Sequence, residues 1–228
     1  MAKVSLADHM KEQRSEQEID PQNVGPFITI SRQYGCYGFS LGLLLMEILN
    51  EDAEPGQPWK IYQKEILQKL ATETDMAEEV LDRERRSQPG LIVDFFRSLT
   101  RDKTPSGQEI RNQIATIIRG LAIEGRSIIV GQGGSAATAD LPNGLAIRLE
   151  APEAWRVKQV AFRDGIGETE AKMVVQKREE QREYLRKIYE RKFPGGPAFD
   201  MVFDCSTFSL AQIAQLVVHA MRLKQFIG

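Results

Sequence analysis

The hydrophobic positions of the chain fall into short runs separated by longer amphipathic stretches. Phe27-Ile28-Thr29-Ile30-Ser31 is apolar and β-branched, the pattern of a strand buried on both faces, and it runs directly into the glycine-containing turn Arg32–Gly38. Leu41 to Leu49 then reads as a helix, and Trp59-Lys60-Ile61-Tyr62 as a second short strand after the breaker segment Glu54-Pro55-Gly56-Gln57-Pro58. The next fifty residues carry a helical period. Asp75-x-x-Glu78 opens a helix, Leu91, Ile92, Phe95, Phe96 and Leu99 share a face, and Ser106-x-x-Glu109 is a capping box before the stripe Ile110, Ile114, Ile117, Ile118 and Leu121. Ser127–Gly131 and Leu145–Leu149 return as strands. Pro152 suits the first turn of a helix through about Arg163, a long charged helix runs from about Gly167 to Lys192, and Pro194-Gly195-Gly196-Pro197 ends it. A last strand, Met201–Cys205, precedes a helix opened by the capping box Ser209-x-x-Gln212.

Five short apolar strands alternating with helices predict parallel β-α units with right-handed crossovers and a three-layer α/β sheet. Ligands of such sheets bind at the carboxyl ends of the strands, which directs attention to the loops after Ser31, Tyr62, Gly131, Leu149 and Cys205.

Composition narrows the function classes. Thirty Lys and Arg against 32 Asp and Glu leave a formal charge of −2, which excludes bulk attraction to nucleic acid or to an anionic membrane, so an anion site must be local. Cys36 and Cys205 are too few for a disulfide framework, and neither has metal-ligand spacing. With no apolar signal core at the start and no uninterrupted apolar run long enough to span a bilayer, the expected setting is the cytoplasm. Two histidines, His9 and His219, argue against histidine catalysis or a zinc site.

The first strand, its turn Ser31-Arg32-Gln33-Tyr34-Gly35-Cys36-Tyr37-Gly38 and the following helix occupy the place where backbone N–H groups and a helix N-terminus hold phosphate oxygens in α/β proteins. GxxxxGK[ST] is absent, since no Lys follows Gly38. A plain strand-to-helix turn that uses Gly35 and Gly38 for backbone freedom fits the same residues.

In order along the chain, Ile28-Thr29-Ile30-Ser31-Arg32-Gln33-Tyr34-Gly35, Tyr62-x-Lys64-Glu65-Ile66-Leu67, Ile128-Ile129-Val130-Gly131, Arg148-Leu149-Glu150-Ala151-Pro152 and Phe199-Asp200-x-Val202-Phe203-Asp204 resemble the cytidylate kinase-like branch of the P-loop nucleoside monophosphate kinases, from about Phe27 to Val218. The resemblance implies a three-layer α/β/α fold with a five-stranded parallel sheet. Residues 1–25, polar and ending in Asp20-Pro21 and Gly25-Pro26, read as a leader before a single domain at 26–228, in which the resemblance implies a helical monophosphate-binding insertion at about 63–110 and a helical lid at about 152–197. The reaction it implies is transfer of the γ-phosphoryl group of ATP, with Mg²⁺, to CMP, dCMP or a related monophosphate. The partners would be nucleotides, with neither nucleic acid nor membrane, and a homo-oligomer is left open.

By position, the resemblance assigns the triphosphate loop to Gln33, Tyr34, Gly35, Cys36, Tyr37, Gly38, Phe39 and Ser40, with Ser40 just beyond the position of the magnesium-binding hydroxyl. The lysine position falls on Gly38, so Arg32 becomes the nearest cation for the phosphates; a surface ion pair is its plainer role. Tyr62, Lys64, Arg111, Gln132 and Arg156 fall on the acceptor side. Here Tyr-Asp-Lys-Glu reads Tyr62-Gln63-Lys64-Glu65, and Val-Gly-Arg reads Val130-Gly131-Gln132. Lid cations are expected from Arg178 and Arg182, which recur with Arg186 on one helical face, as a solvated, salt-bridged helix would also have them. Arg119 is expected in a helix-surface ion pair, Asp200 and Asp204 as caps, and Cys36 as either a reactive thiol or a packed one. Two functions follow: a monophosphate kinase, or the same fold kept as a nucleotide-binding regulatory module after its catalytic charges were lost at Gly38, Phe39, Gln63 and Gln132.

Overall fold

A computed structural model describes residues 24–51, 53–63, 107–192 and 199–228, and side chains for these except 107–113, 185, 186 and 188–192. The leader and nearly all of the 63–110 insertion, with the expected helix starts at Asp75 and Ser106, lie outside the described residues, as does the breaker Pro194–Pro197.

Five parallel strands form one sheet: β1 (Phe27–Arg32), β2 (Lys60–Tyr62), β3 (Ser127–Val130), β4 (Gly144–Glu150) and β5 (Met201–Asp204), in the order β2-β3-β1-β4-β5. Between and after them run α1 (Gly38–Glu51), α2 (Gly107–Glu124), the single turn α3 (Gly134–Ala137), α4 (Glu153–Asp164), α5 (Glu168–Lys192) and α6 (Leu210–Leu223). The register β1 to β3 pairs Ile28 with Ile128 and Ile30 with Val130, and β1 to β4 pairs Ile28 with Leu145 and Ile30 with Ile147.

Alternation along each strand then sorts the core into two faces. Ile28, Ile30, Ile128, Val130, Leu145 and Ile147 meet Leu41, Leu45 and Leu49 of α1 and Ile213, Val217 and Met221 of α6. Phe27 and Ile129 point the other way, onto Ala115, Ile118 and Leu121 of α2 and Ala137 of α3. A helical layer on each side of a parallel sheet is the three-layer arrangement that the alternating pattern predicts. A third, smaller cluster holds α4 to α5: Val157, Val160, Ala171 and Val175, with Tyr34 of the β1–α1 loop packed against them. That cluster fixes the helix pair over the loop.

The element boundaries differ from the sequence reading in instructive ways. Helix α1 begins at Gly38, three residues before the apolar stripe, because Phe39 and Ser40 complete its first turn with their side chains in solvent. Strand β2 begins at Lys60, since the Trp59 backbone is paired instead by the Asn50 side chain: its N–H donates to Oδ1 at 2.6 Å and its C=O accepts from Nδ2 at 3.1 Å. Helix α3 is too short to carry a periodic signal. Arg119 makes the expected surface pair, bidentate with Asp140 (Nη2 to Oδ2 2.9 Å), which holds the Asp140 carboxyl below its usual range. The aspartates cap: Asp204 accepts from the backbone N–H and hydroxyl of Ser206, and Asp200 from Ala146 N–H.

Candidate active site

The carboxyl ends of β1, β3 and β4 lie side by side, and the loop that leaves β1 is bolted to its neighbours by Gln33. Its N–H donates to Leu149 C=O at 2.9 Å, and its Oε1 accepts from Ala151 N–H at 3.0 Å. Gly35 then turns with φ +95°, and a Cβ there would stand 2.9 Å from Cβ of Arg156. Only glycine gives both the left-handed backbone and the close approach of α4. Cys36 N–H bonds back to Gln33 C=O at 3.2 Å and Gly38 N–H to Cys36 C=O at 2.9 Å, and Gly38, Phe39 and Ser40 open α1.

Arg32 lies across the front of this loop. A Cβ at Gly38 would meet its Cγ and Cδ at 3.2 and 3.1 Å, and a Cβ at Gly131 would stand 1.7 Å from its Nη1. Its guanidinium therefore passes over Gly131, in the turn after β3, while its stem lies against Gly38. Gly38, where the resemblance expects a lysine, is thus the glycine beside which the arginine stem runs. Gly131, Gln132 and Gly133 all have positive φ, +76°, +58° and +74°, closed by Gly134 N–H to Gly131 C=O at 3.0 Å. A non-glycine residue held there, as Gln132 is, is strained by about 1 kcal/mol.

Three further arginines converge from α4 and α5 on Tyr34. Arg156, only 6% exposed, donates from Nε to Ala151 C=O at 3.0 Å and from Nη1 to Tyr34 C=O at 3.1 Å. Arg182 stacks over the Tyr34 ring at 5.0 Å and donates to Arg32 C=O at 3.2 Å. Arg163 covers the ring at 5.4 Å, donates to the Tyr34 hydroxyl at 3.0 Å and pairs with Asp164 at 2.7 Å. Beneath them, Glu179 of α5 accepts from Tyr34 N–H at 2.7 Å and lies 3.7 Å from Arg156 Nη1.

The structure thus brings Arg32, Tyr34, Gly35, Arg156, Arg182 and Gln132 to one edge of the sheet. Tyr37 is tied to α4, its hydroxyl on Gln159 C=O at 3.3 Å and Oε1 at 3.2 Å. Phe39, 44% exposed, and Ser40 face solvent at the start of α1. Arg178 meets Gln181 on its own helix at 3.4 Å. Tyr62 sits on the edge strand and packs against the cluster on the α2 side of the sheet. Lys64 and the Arg111 side chain lie outside the described residues, as does the Arg186 side chain. Glu179 and Gln159 were not anticipated; the spacing of Glu179 three residues before Arg182 on one helix face was the available signal.

Cys36 and Cys205, remote in sequence, are buried in the same cluster over the end of β4, and their thiols interact directly. The neighbouring Cys205 thiol first, and burial second, push the Cys36 thiol above its ordinary range, so the packed reading is the one the environment supports. Native protein at neutral pH is expected to alkylate at Cys36 at least about tenfold more slowly than a free thiol. Timed iodoacetamide labelling read by peptide mass spectrometry checks this, and labelling as fast as in the unfolded chain would refute it.

The sequence profile of the cytidylate kinase-like family matches residues 27–207. No curated protein sequence matches the chain. Among solved structures, an uncharacterized protein from Eubacterium ventriosum ATCC 27560 superposes with a TM-score of 0.62 at 19% identity, over 86% of this chain and 98% of that one. A shikimate kinase from Acinetobacter baumannii, solved in complex with shikimate, gives a TM-score of 0.47 at 13% identity, over 90% of this chain and 98% of that one. At these identities likeness bears on the fold alone. The profile, by contrast, spans most of the chain and every element that builds the site, and the chain belongs to the cytidylate kinase-like family.

Proposed function

We propose that the chain is a nucleoside monophosphate kinase of the cytidylate type, transferring the γ-phosphoryl group of ATP to CMP, dCMP or a related monophosphate. One observation carries this reading: the Arg32 guanidinium lies between the start of α1 and the turn after β3, where a P-loop lysine would otherwise supply charge. Residues of about 63–110 would hold the acceptor, α4 and α5 would form the lid within 152–197, and the cytoplasm would be the setting.

Phosphoryl transfer asks little covalent chemistry of a protein and much positioning, because the transition-state charge is spread over the phosphoryl oxygens. In this reading Arg32 offers a fork of donors from the sheet side, and Arg182 a second from α5, anchored on Arg32 C=O. Gln33 fixes the loop so that these donors need no reorganisation. Arg178 joins Arg182 from the same helix, and Arg156 sets the loop from below.

The donor set fits a triphosphate: a helix N-terminus, a Gly35 turn and a loop amide, at Tyr34, that already binds an anionic oxygen. For magnesium this chain offers the Ser40 hydroxyl. Among the described residues no group of three His, Cys, Asp or Glu side chains could hold a metal, so phosphate oxygens and water would supply most ligands. When bound, Mg²⁺ supplies neutralisation of phosphate charge.

Incubation of the full chain with ATP·Mg and each of CMP, dCMP, UMP and AMP, with nucleotides separated by ion exchange, is expected to give a diphosphate above a no-enzyme control. No diphosphate from any acceptor would sink the reading. If calorimetry then showed ATP·Mg binding without turnover, the regulatory module would stand instead, a reading favoured by Gln132 in place of an arginine in the strained turn after β3.

A further inference from the structure

The contact between Glu179 and the loop is of an unusual kind for two charged surfaces of a phosphate-binding protein. One carboxylate oxygen accepts from the Tyr34 backbone N–H at 2.7 Å and faces Arg156 Nη1 at 3.7 Å. A loop amide with an arginine behind it is the donor pair that holds a phosphate oxygen. The donor residue is 145 positions from Glu179 in sequence, so the contact closes α5 onto the loop rather than stabilising either element locally.

We infer that Glu179 is an internal stand-in for a ligand phosphate oxygen, latching the α4–α5 helix pair onto the β1–α1 loop until a phosphate displaces it. The inference rests on the nucleotide reading above and adds a regulation to it. The exchange runs in both directions: carboxylate and phosphate oxygens compete for the same N–H, and the carboxylate, being tethered, competes at high local concentration. A ligand must therefore bind a loop freed for only part of the time, and its apparent affinity falls by that fraction. The surroundings fit a contact that can be exchanged. Glu179 keeps 23% of its side-chain surface in solvent, whereas its partner Arg156 keeps 8% and stays bonded to Ala151 and Tyr34 carbonyls when the carboxylate leaves. The cation side is thus fixed and the anion side movable. Arg182 lies one helical turn further along α5, over the Tyr34 ring, so release of Glu179 moves a proposed lid cation as well.

Calorimetric titration of wild type, Glu179→Gln and Glu179→Ala with inorganic tripolyphosphate, and separately with ATP·Mg, tests the latch. The amide keeps the shape but loses the charge, and both variants are expected to bind tripolyphosphate about tenfold more tightly than wild type. Amide hydrogen exchange in α5 is expected to quicken in wild type on saturation with tripolyphosphate, and to be already quick in ligand-free Glu179→Gln. Equal or weaker binding by Glu179→Gln, or unchanged exchange in α5, would show that Glu179 merely braces Arg156. If wild type binds and the variants gain nothing, the latch alone falls. If no protein binds either ligand, the nucleotide reading falls and the latch with it.

Discussion

Arg156→Ala is expected to destabilise the fold by about 3 kcal/mol, in the range found when one partner of a buried charged network is removed. The reason lies in what the guanidinium satisfies. It is almost wholly buried, and through two of its nitrogens it reaches Ala151 C=O, Tyr34 C=O and the Glu179 carboxylate. Truncation leaves two carbonyls without that partner and takes a cation from beside the Glu179 carboxylate. Arg163 supplies the contrast, because it reaches the same tyrosine from the outer side and pairs with Asp164 in solvent. Arg163→Ala is expected to cost under about 1 kcal/mol, as exposed ion pairs do. Urea unfolding of both variants decides the matter, and equal midpoints would mean that Arg156 is not the brace of the loop.

The unequal roles of these two arginines show what could be read from sequence and what could not. The strands were legible because Ile28, Ile30, Ile128, Val130 and Ile147 are β-branched residues in short runs, a requirement of burial on both faces that is written locally. The place proposed for phosphate was legible for a similar reason, since a strand, a glycine turn and a helix must be contiguous in the chain. Arg156 was marked as facing an acceptor, on position alone, yet it stands under the loop. Its burial depends on α4 packing against α5 through Val157, Val160, Ala171 and Val175, a tertiary contact with no local signature. Glu179 was invisible for the same physical reason, since its charge reads as one more member of a solvated helix until the loop amide is set opposite it. Cysteine spacing is silent about two free thiols that the fold buries in one cluster. The absence of a lysine at Gly38 was plain in the sequence. The compensation was suspected in Arg32, and the path of its side chain follows from two missing Cβ atoms at Gly38 and Gly131.

That path yields the second large effect: Gly131→Ala is expected to abolish turnover about as completely as Arg32→Ala, by roughly a thousandfold, the scale on which a transition-state arginine acts. A methyl group at residue 131 would begin 1.7 Å from Arg32 Nη1, so the guanidinium must shift from the position it holds over the turn. The backbone cost is separate and smaller. An alanine at φ +76° is strained by about 1–2 kcal/mol, which a domain of this size tolerates. Gly56→Ala separates the two contributions, since Gly56 has φ +87° with nothing within 4 Å of the added methyl; it is expected to lose similar stability and keep full turnover. Because both changes act on one guanidinium, their effects should not add, and Arg32→Ala/Gly131→Ala should turn over no more slowly than Arg32→Ala alone. Steady-state rates with ATP·Mg and the acceptor that supports turnover, set beside the unfolding midpoint of each variant, give the comparison. Full activity in Gly131→Ala would remove Arg32 from the reaction and leave Arg182 as the cation on which phosphoryl transfer depends.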